Sequence, residues 1–144
     1  MKTNNILYIG IDDNNNIKIG MTQQTARERQ AGTNYLIWCY AEADKSMSRE
    51  KLFVCENFLR IIFKKNYKQV KTDRFERADE EWLHWFIRSI NCINKYYHAN
   101  FSEPRPLFNL RPDVIDEYFE YKKKIQYYLE HPMVEDLLFD VILG

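Results

Sequence analysis

Residues 4–20 constrain this chain more than any other segment. From Asn4 to Ile11 the side chains Ile6, Leu7, Tyr8, Ile9 and Ile11 suit a pleated, half-buried surface, so a strand is expected there. Asp12 to Asn16 then places five Asp and Asn residues in a row. Such residues bond their own backbone and tolerate a left-handed φ, so the chain turns. Ile17-Lys18-Ile19-Gly20 resumes the extended pattern, and the two runs make a hairpin. Thr25-Ala26-Arg27-Glu28 fits a capping box, which predicts a short helix from Thr25 to about Gly32. Tyr35 to Ala43 (YLIWCYAEA) is a third strand, apolar enough to lie mid-sheet.

Ser46 or Ser48 caps the next helix, which runs to about Lys65 with Leu52, Cys55, Leu59, Ile62 and Phe63 at helical spacing. Asn66 to Ala78 is basic and irregular, with a short strand at Lys68 to Thr72. Asp79 to His98 reads as a helix with Trp82, Trp85, Phe86 and Ile93 inward. Ser102-Glu-Pro-Arg-Pro breaks the pattern and is the one stretch that reads as a linker. Pro112 suits the first position of a further helix with acids in its first turn, ending near His131-Pro132, and a last short helix closes the chain. The expected architecture is α+β: a mainly antiparallel three-stranded sheet flanked by helices over residues 1–100, with a helical extension over 101–144 packed on the same domain.

Composition narrows the function. A chain of 144 residues, 45% of them hydrophobic, can bury one core and offset its chain entropy, which excludes intrinsic disorder. No apolar run approaches the roughly 18 residues of a membrane span, and the N-terminus lacks a signal-peptide cleavage site. Cys39, Cys55 and Cys92 are widely spaced, without CxxC, and read as reduced, partly buried thiols of a cytoplasmic protein. The net charge of zero argues against a polybasic binder, but the charge is divided. Residues 1–78 carry fourteen Lys/Arg against nine Asp/Glu, a net of +5; residues 79–144 carry seven against twelve, a net of −5. The front half can face a polyanion. Within it Lys64, Lys65 and Lys68, followed by Lys71, Arg74 and Arg77, are interleaved with Tyr67 and Phe75. Such a run can track a phosphate backbone while aromatics stack on bases, or it can be a solvated loop and helix end. His84, His98 and His131 lack metal-ligand spacing; His84 reads as a helix-face residue and His131 as a helix end.

A tyrosine on the first strand, Lys18-Ile19-Gly20-Met21-Thr22 on the second and a capped helix bearing arginines form a pattern that resembles the GIY-YIG nuclease superfamily, in its phage and bacterial branch. Leu7-Tyr8-Ile9 stands near the first triplet, which lacks its glycine here, and Lys18-Ile19-Gly20 stands at the second. Arg29 stands at the helix arginine, with Arg27 as the alternative, since neighbouring helix positions point about 100° apart. The resemblance places a metal-binding glutamate on the helix after the third strand, where this chain has Glu56. Glu56 also borders that helix's buried stripe, a position where Glu is rarely found without a partner or a task. Asn66 and the Glu81-Trp82 pair are weaker anchors.

What the resemblance implies is a divalent-metal-dependent endonuclease hydrolysing DNA phosphodiester bonds. Glu56 would hold Mg²⁺ or Mn²⁺, Arg29 would clamp the phosphoryl oxygens, and Tyr8 and Lys18 would handle the attacking water, or Lys18 would contact phosphate directly. A homodimer is the assembly that would cut both strands. The other reading is a catalytically inactive module of the same fold, binding nucleic acid or a protein partner. Glu56 and Arg60 then form an ordinary i,i+4 ion pair.

Overall fold

A computed structural model describes residues 4–108 and 112–131. The order of elements is β1 (Asn5–Ile11), β2 (Asn16–Thr22), α1 (Ala26–Ala31), β3 (Leu36–Ala43), α2 (Arg49–Asn66), β4 (Gln69–Lys71), β5 (Arg74–Glu76), α3 (Trp82–Tyr96), β6 (Arg105–Pro106) and α4 (Ile115–Glu130), the last preceded by a 3-10 turn at Pro112–Val114. The fold is α+β with an antiparallel sheet. It has six strands in the order β4-β5-β2-β1-β3-β6, where three were expected. The three long strands are those read from the sequence, and β4 falls within the short strand expected at Lys68 to Thr72. The additions are β5, between β4 and β2, and β6 at the far edge, of three and two residues and too short to show a period of two. Arg105–Pro106, expected as part of a linker, pairs with Cys39 and Tyr40 at the sheet edge, where a proline's missing donor costs no ladder bond. The closing helix expected after Pro132, with Leu137 and Phe139, lies outside the described residues.

The β1–β2 turn forms as the Asp/Asn run dictates. Asn15 takes a φ of 61°, and the Asp12 carboxylate accepts from the Asn14 and Asn16 amides, each at 2.9 Å. β1 lies mid-sheet, pairing Tyr8 with Gly20 of β2 and with Tyr40 of β3. Between Ile9 and Gly10 the β1–β3 register shifts: Ile9 faces Cys39 but Gly10 faces Ile37, which leaves Trp38 as the extra residue of a bulge. A Cβ at Gly10 would stand 2.2 Å from the Leu36 carbonyl oxygen, so the close approach of these strands requires glycine there. Beyond the bulge β3 switches faces. Tyr35 and Ile37 pack with Ile6, Tyr8 and Ala26 of α1, whereas Trp38, Cys39, Ala41 and Ala43 pack in the larger core.

That larger core joins the Leu7, Ile9, Ile17 and Ile19 face of the sheet to α2 and α3. The α2 stripe Leu52, Cys55, Leu59, Ile62 and Phe63 is buried as its spacing predicts, and Ser48 is the cap, accepting from the Lys51 amide at 3.1 Å. Trp82, Phe86 and Ile93 of α3 are buried too; Trp85, expected inward, is partly exposed beneath the Arg88 guanidinium at 4.1 Å. Tyr121 of α4 packs on Trp38 at 4.7 Å and on Trp82 at 5.3 Å between ring centroids. All three cysteines are free and buried. Among the described residues no helix is long and apolar enough to cross a membrane.

Candidate functional site

Sheet alternation sends Tyr8, Lys18 and Gly20 to the face covered by α1, away from α2. Tyr8 is buried and its ring lies across β2 at Gly20. A Cβ at position 20 would meet the Tyr8 Oη at 2.2 Å and Cζ at 2.3 Å, so the absence of a side chain there makes room for the phenol. The Tyr8 Oη shares a 2.5 Å hydrogen bond with the Tyr35 Oη, and the two rings are near-parallel with centroids 6.0 Å apart.

The capping box of α1 forms in full: Thr25 Oγ1 accepts from the Glu28 amide and Glu28 Oε1 from the Thr25 amide, each at 3.1 Å. Ala26 anchors this short helix on the sheet. Arg29 follows three residues later on the same side, and its Nε donates to the Tyr8 Oη at 3.3 Å. Arg27, the sequence alternative, is exposed and lines a different cavity beside Tyr40 and Leu107. Of the two arginines, it is Arg29 that reaches Tyr8.

Lys18 is buried and makes an ion pair with Asp73 of the β4–β5 turn; its Nζ also donates to the Ile19 carbonyl at 3.2 Å. Its neighbour across the β2–β5 ladder is Arg74, which pairs with Asp12 at 2.8 Å. Lys18 Nζ and Arg74 Cζ lie 5.5 Å and 5.8 Å from the centre of the Tyr35 ring. Tyr35 therefore links the phenol of Tyr8 to two cations, and the structure gathers Tyr8, Tyr35, Arg29, Lys18 and Arg74 on one sheet face. Sequence reasoning missed Tyr35, Asp73 and the placement of Arg74. Nothing local separates Tyr35 from a packing tyrosine. Only the strand register shows what it faces.

Glu56 is placed differently. It is 5% exposed on α2, whose buried stripe covers the opposite face of the sheet, and its carboxylate is ion-paired with Arg60 one turn later. Arg60 in turn lies 5.5 Å from the Phe53 ring. The structure thus brings Tyr8, Arg29 and, through Tyr35, Lys18 together, and leaves Glu56 outside their contacts. At the end of β2 a cavity of about 460 Å³ is lined by Met21 to Gln24, Arg29, Arg49 and Leu52; Glu56, one helical turn beyond Leu52, is not in its lining.

Lys64, Lys65 and Lys68 are exposed at the C-terminal end of α2 and before β4. The interleaved aromatics are not available to bases. Phe75 is fully buried, and Tyr67 stacks on Phe63 while its hydroxyl donates to Asp79 at 2.6 Å. Asn66 turns its side chain back to the Ile62 carbonyl at 2.8 Å. His84 stacks on Tyr128, and His131 caps the end of α4. No family model, curated protein or solved structure matches the chain.

Burial, and then the Tyr35 hydrogen bond, push the Tyr8 phenol well above its ordinary pKa, while Arg29 opposes the shift. The Tyr8 hydrogen bond in turn raises Arg29. Burial alone would raise Asp73, but the hydrogen bond and charge of Lys18 outweigh it and hold that carboxyl low. The site at neutral pH is therefore a neutral phenol beside a permanent guanidinium. The sign for stability follows: a phenol whose folded pKa is raised contributes stability below its unfolded pKa, about 10, and loses that contribution as pH rises further. Urea unfolding of the wild type is expected to weaken between pH 9 and pH 11 more steeply than that of Tyr8→Phe. Equal slopes would mean that the folded protein does not raise the Tyr8 phenol above its unfolded value.

Proposed function

We propose that the chain is a metal-assisted endonuclease of the GIY-YIG type acting on DNA. The observation that carries this reading is the contact of Arg29 with Tyr8 over Gly20, with Lys18 beside them around Tyr35. Phosphodiester hydrolysis requires a planar cation that can bridge phosphoryl oxygens, and Arg29, half-buried at the lip of the β2-end cavity, is in position to do so. Tyr8 acts as a neutral hydrogen-bonding group that sets Arg29 and orients water at its oxygen, with Tyr35 as the next member of the chain of hydroxyls. Lys18 contacts phosphate. The exposed Lys64, Lys65 and Lys68 add sequence-independent attraction for the backbone.

The donor chemistry suits a hard divalent cation held sparingly. Mg²⁺ commonly takes one or two protein carboxylates and completes its shell with water and substrate phosphate. Among the described residues no group of three or more His, Cys, Asp or Glu surrounds a point; the resemblance assigns the ion to Glu56 alone, which would exchange its Arg60 partner to hold it. When bound, the cation supplies charge neutralisation at the phosphoryl oxygens. The Glu56–Arg60 pair and the depth of Tyr8 favour a second reading, a non-cleaving module that binds nucleic acid through the same cationic face. Incubation of supercoiled plasmid with the protein and Mg²⁺ or Mn²⁺ separates the two. The first reading expects nicked or linear product, lost in Glu56→Gln while the fold is retained. Intact plasmid under all such conditions, with a gel shift that Glu56→Gln does not alter, leaves the second.

A further inference from the structure

Two cations directly opposite each other on one sheet face repel, and Lys18 and Arg74 stand in that relation across β2 and β5. Two carboxylates offset the repulsion, but they are held very differently. Asp12 is part of the β1–β2 turn: its side chain is 4% exposed, receives two backbone amides and pairs with Arg74. Asp73 sits at the tip of the β4–β5 hairpin with its side chain 36% exposed, and its side chain partners Lys18, which is itself only 9% exposed. The turn is fastened separately, because the Asp73 carbonyl accepts from the Ile19 amide at 3.0 Å. Removing the carboxylate therefore leaves the hairpin's backbone bond to β2 in place. It would leave Lys18 buried beside Arg74 and the Tyr35 ring with no counter-anion, an environment in which an oxyanion from solvent is strongly favoured.

We propose that Lys18 and Arg74, over the Tyr35 ring, form a phosphate-binding subsite that the Asp73 carboxylate occupies in the free protein. The ligand is a phosphoryl oxyanion, and Asp73 must be displaced for it to bind. Asp73 thus restrains the site until a ligand with more charge and more oxygens than one carboxylate arrives. A nucleic-acid backbone meets that condition, and Lys68 and Lys71 lie exposed on the same hairpin to accompany it. This rests on the reading of the face as one that meets a DNA backbone, but not on cleavage.

The test is binding of a short fluorescein-labelled DNA duplex, followed by anisotropy in EDTA at low salt so that no cutting intervenes. Asp73→Asn is expected to bind about tenfold more tightly than the wild type. Glu76→Gln, an equal charge change two residues from Arg74 on the same face of β5 but without a contact to Lys18, controls for charge at that face and is expected to gain about twofold or less. Lys18→Met placed on top of Asp73→Asn is expected to abolish the gain. Inorganic phosphate is the second arm. Competition at millimolar concentration in Asp73→Asn identifies a site open to any phosphate, and gain for duplex alone identifies one that needs the polymer; both support the subsite. Equal affinities for Asp73→Asn and the wild type, or equal gains for Asp73→Asn and Glu76→Gln, overturn it. A plasmid assay run beside it keeps the two ideas apart. Tighter binding without cleavage removes the nuclease alone, and cleavage with unchanged binding removes the Asp73 restraint alone.

Discussion

Arg29→Ala is expected to reduce DNA cleavage about a hundred- to a thousandfold, the usual cost of removing one preorganised donor from a developing phosphoryl charge. Its thermal midpoint should move little, because Arg29 is partly solvated and its 3.3 Å bond to Tyr8 is a long one. Arg29→Lys should recover only part of the activity. An ammonium keeps the charge but cannot bridge two oxygens in a plane, and its shorter reach to Tyr8 would loosen the phenol. Arg27→Ala is the matched control: Arg27 is exposed beside a different cavity, so the same assay should return near wild-type rates. Comparable losses in both variants would mean that the two arginines act only through bulk attraction for DNA. Reaction rates with Mn²⁺ and melting curves on the same preparations decide it.

The largest expected loss of stability is at Trp38. Its indole is 2% exposed, is turned into the main core by the bulge opposite Gly10, and packs against Tyr121 of α4. Trp38→Ala removes that volume where β3 and α4 meet, and such a cavity costs about 3–5 kcal/mol. For a chain of this size that is a fall of roughly 10–15 °C in Tm. Trp38→Phe should recover more than half of it, since a smaller ring still fills the contact with Tyr121. If Trp38→Ala melts within a few degrees of the wild type, the indole does not join the sheet to α4 as described. Differential scanning calorimetry measures this directly.

The parts of the fold that were legible in the sequence are those where local chemistry and tertiary packing agree. The Asp12-to-Asn16 turn, the Thr25 capping box, the Ser48 cap and the α2 stripe all form where residue types alone place them. β5 and β6 were not legible, because strands of three and two residues carry no alternation and are held by partners distant in sequence: Arg74 by Lys18, Pro106 by Cys39. The same limit governs the site. Tyr8, Lys18 and Arg29 were singled out by the resemblance that the strand, turn and capped helix carry. Tyr35, which joins them, stands just before β3 in a stretch whose local pattern gives it no distinction; its role appears only once β1, β2 and β3 are in register. Glu56 shows the opposite case. Its place at the edge of the buried stripe was readable, and so was the i,i+4 relation to Arg60. That α1 and α2 cover opposite faces of the sheet depends on the crossover from β3, which no local pattern states.

The proposed function puts DNA on the α1-covered face of the sheet, from Lys18 to the end of β2. Backbone amide and arginine side-chain NMR of the ¹⁵N-labelled protein, titrated with a short duplex in EDTA, tests it most directly. The account predicts shifts that cluster at Lys18, the Arg29 Nε, Tyr35 and Arg74, and that fade as salt is raised. Shifts confined to α3 and α4, or a spectrum that the duplex leaves unchanged at low salt, would contradict it.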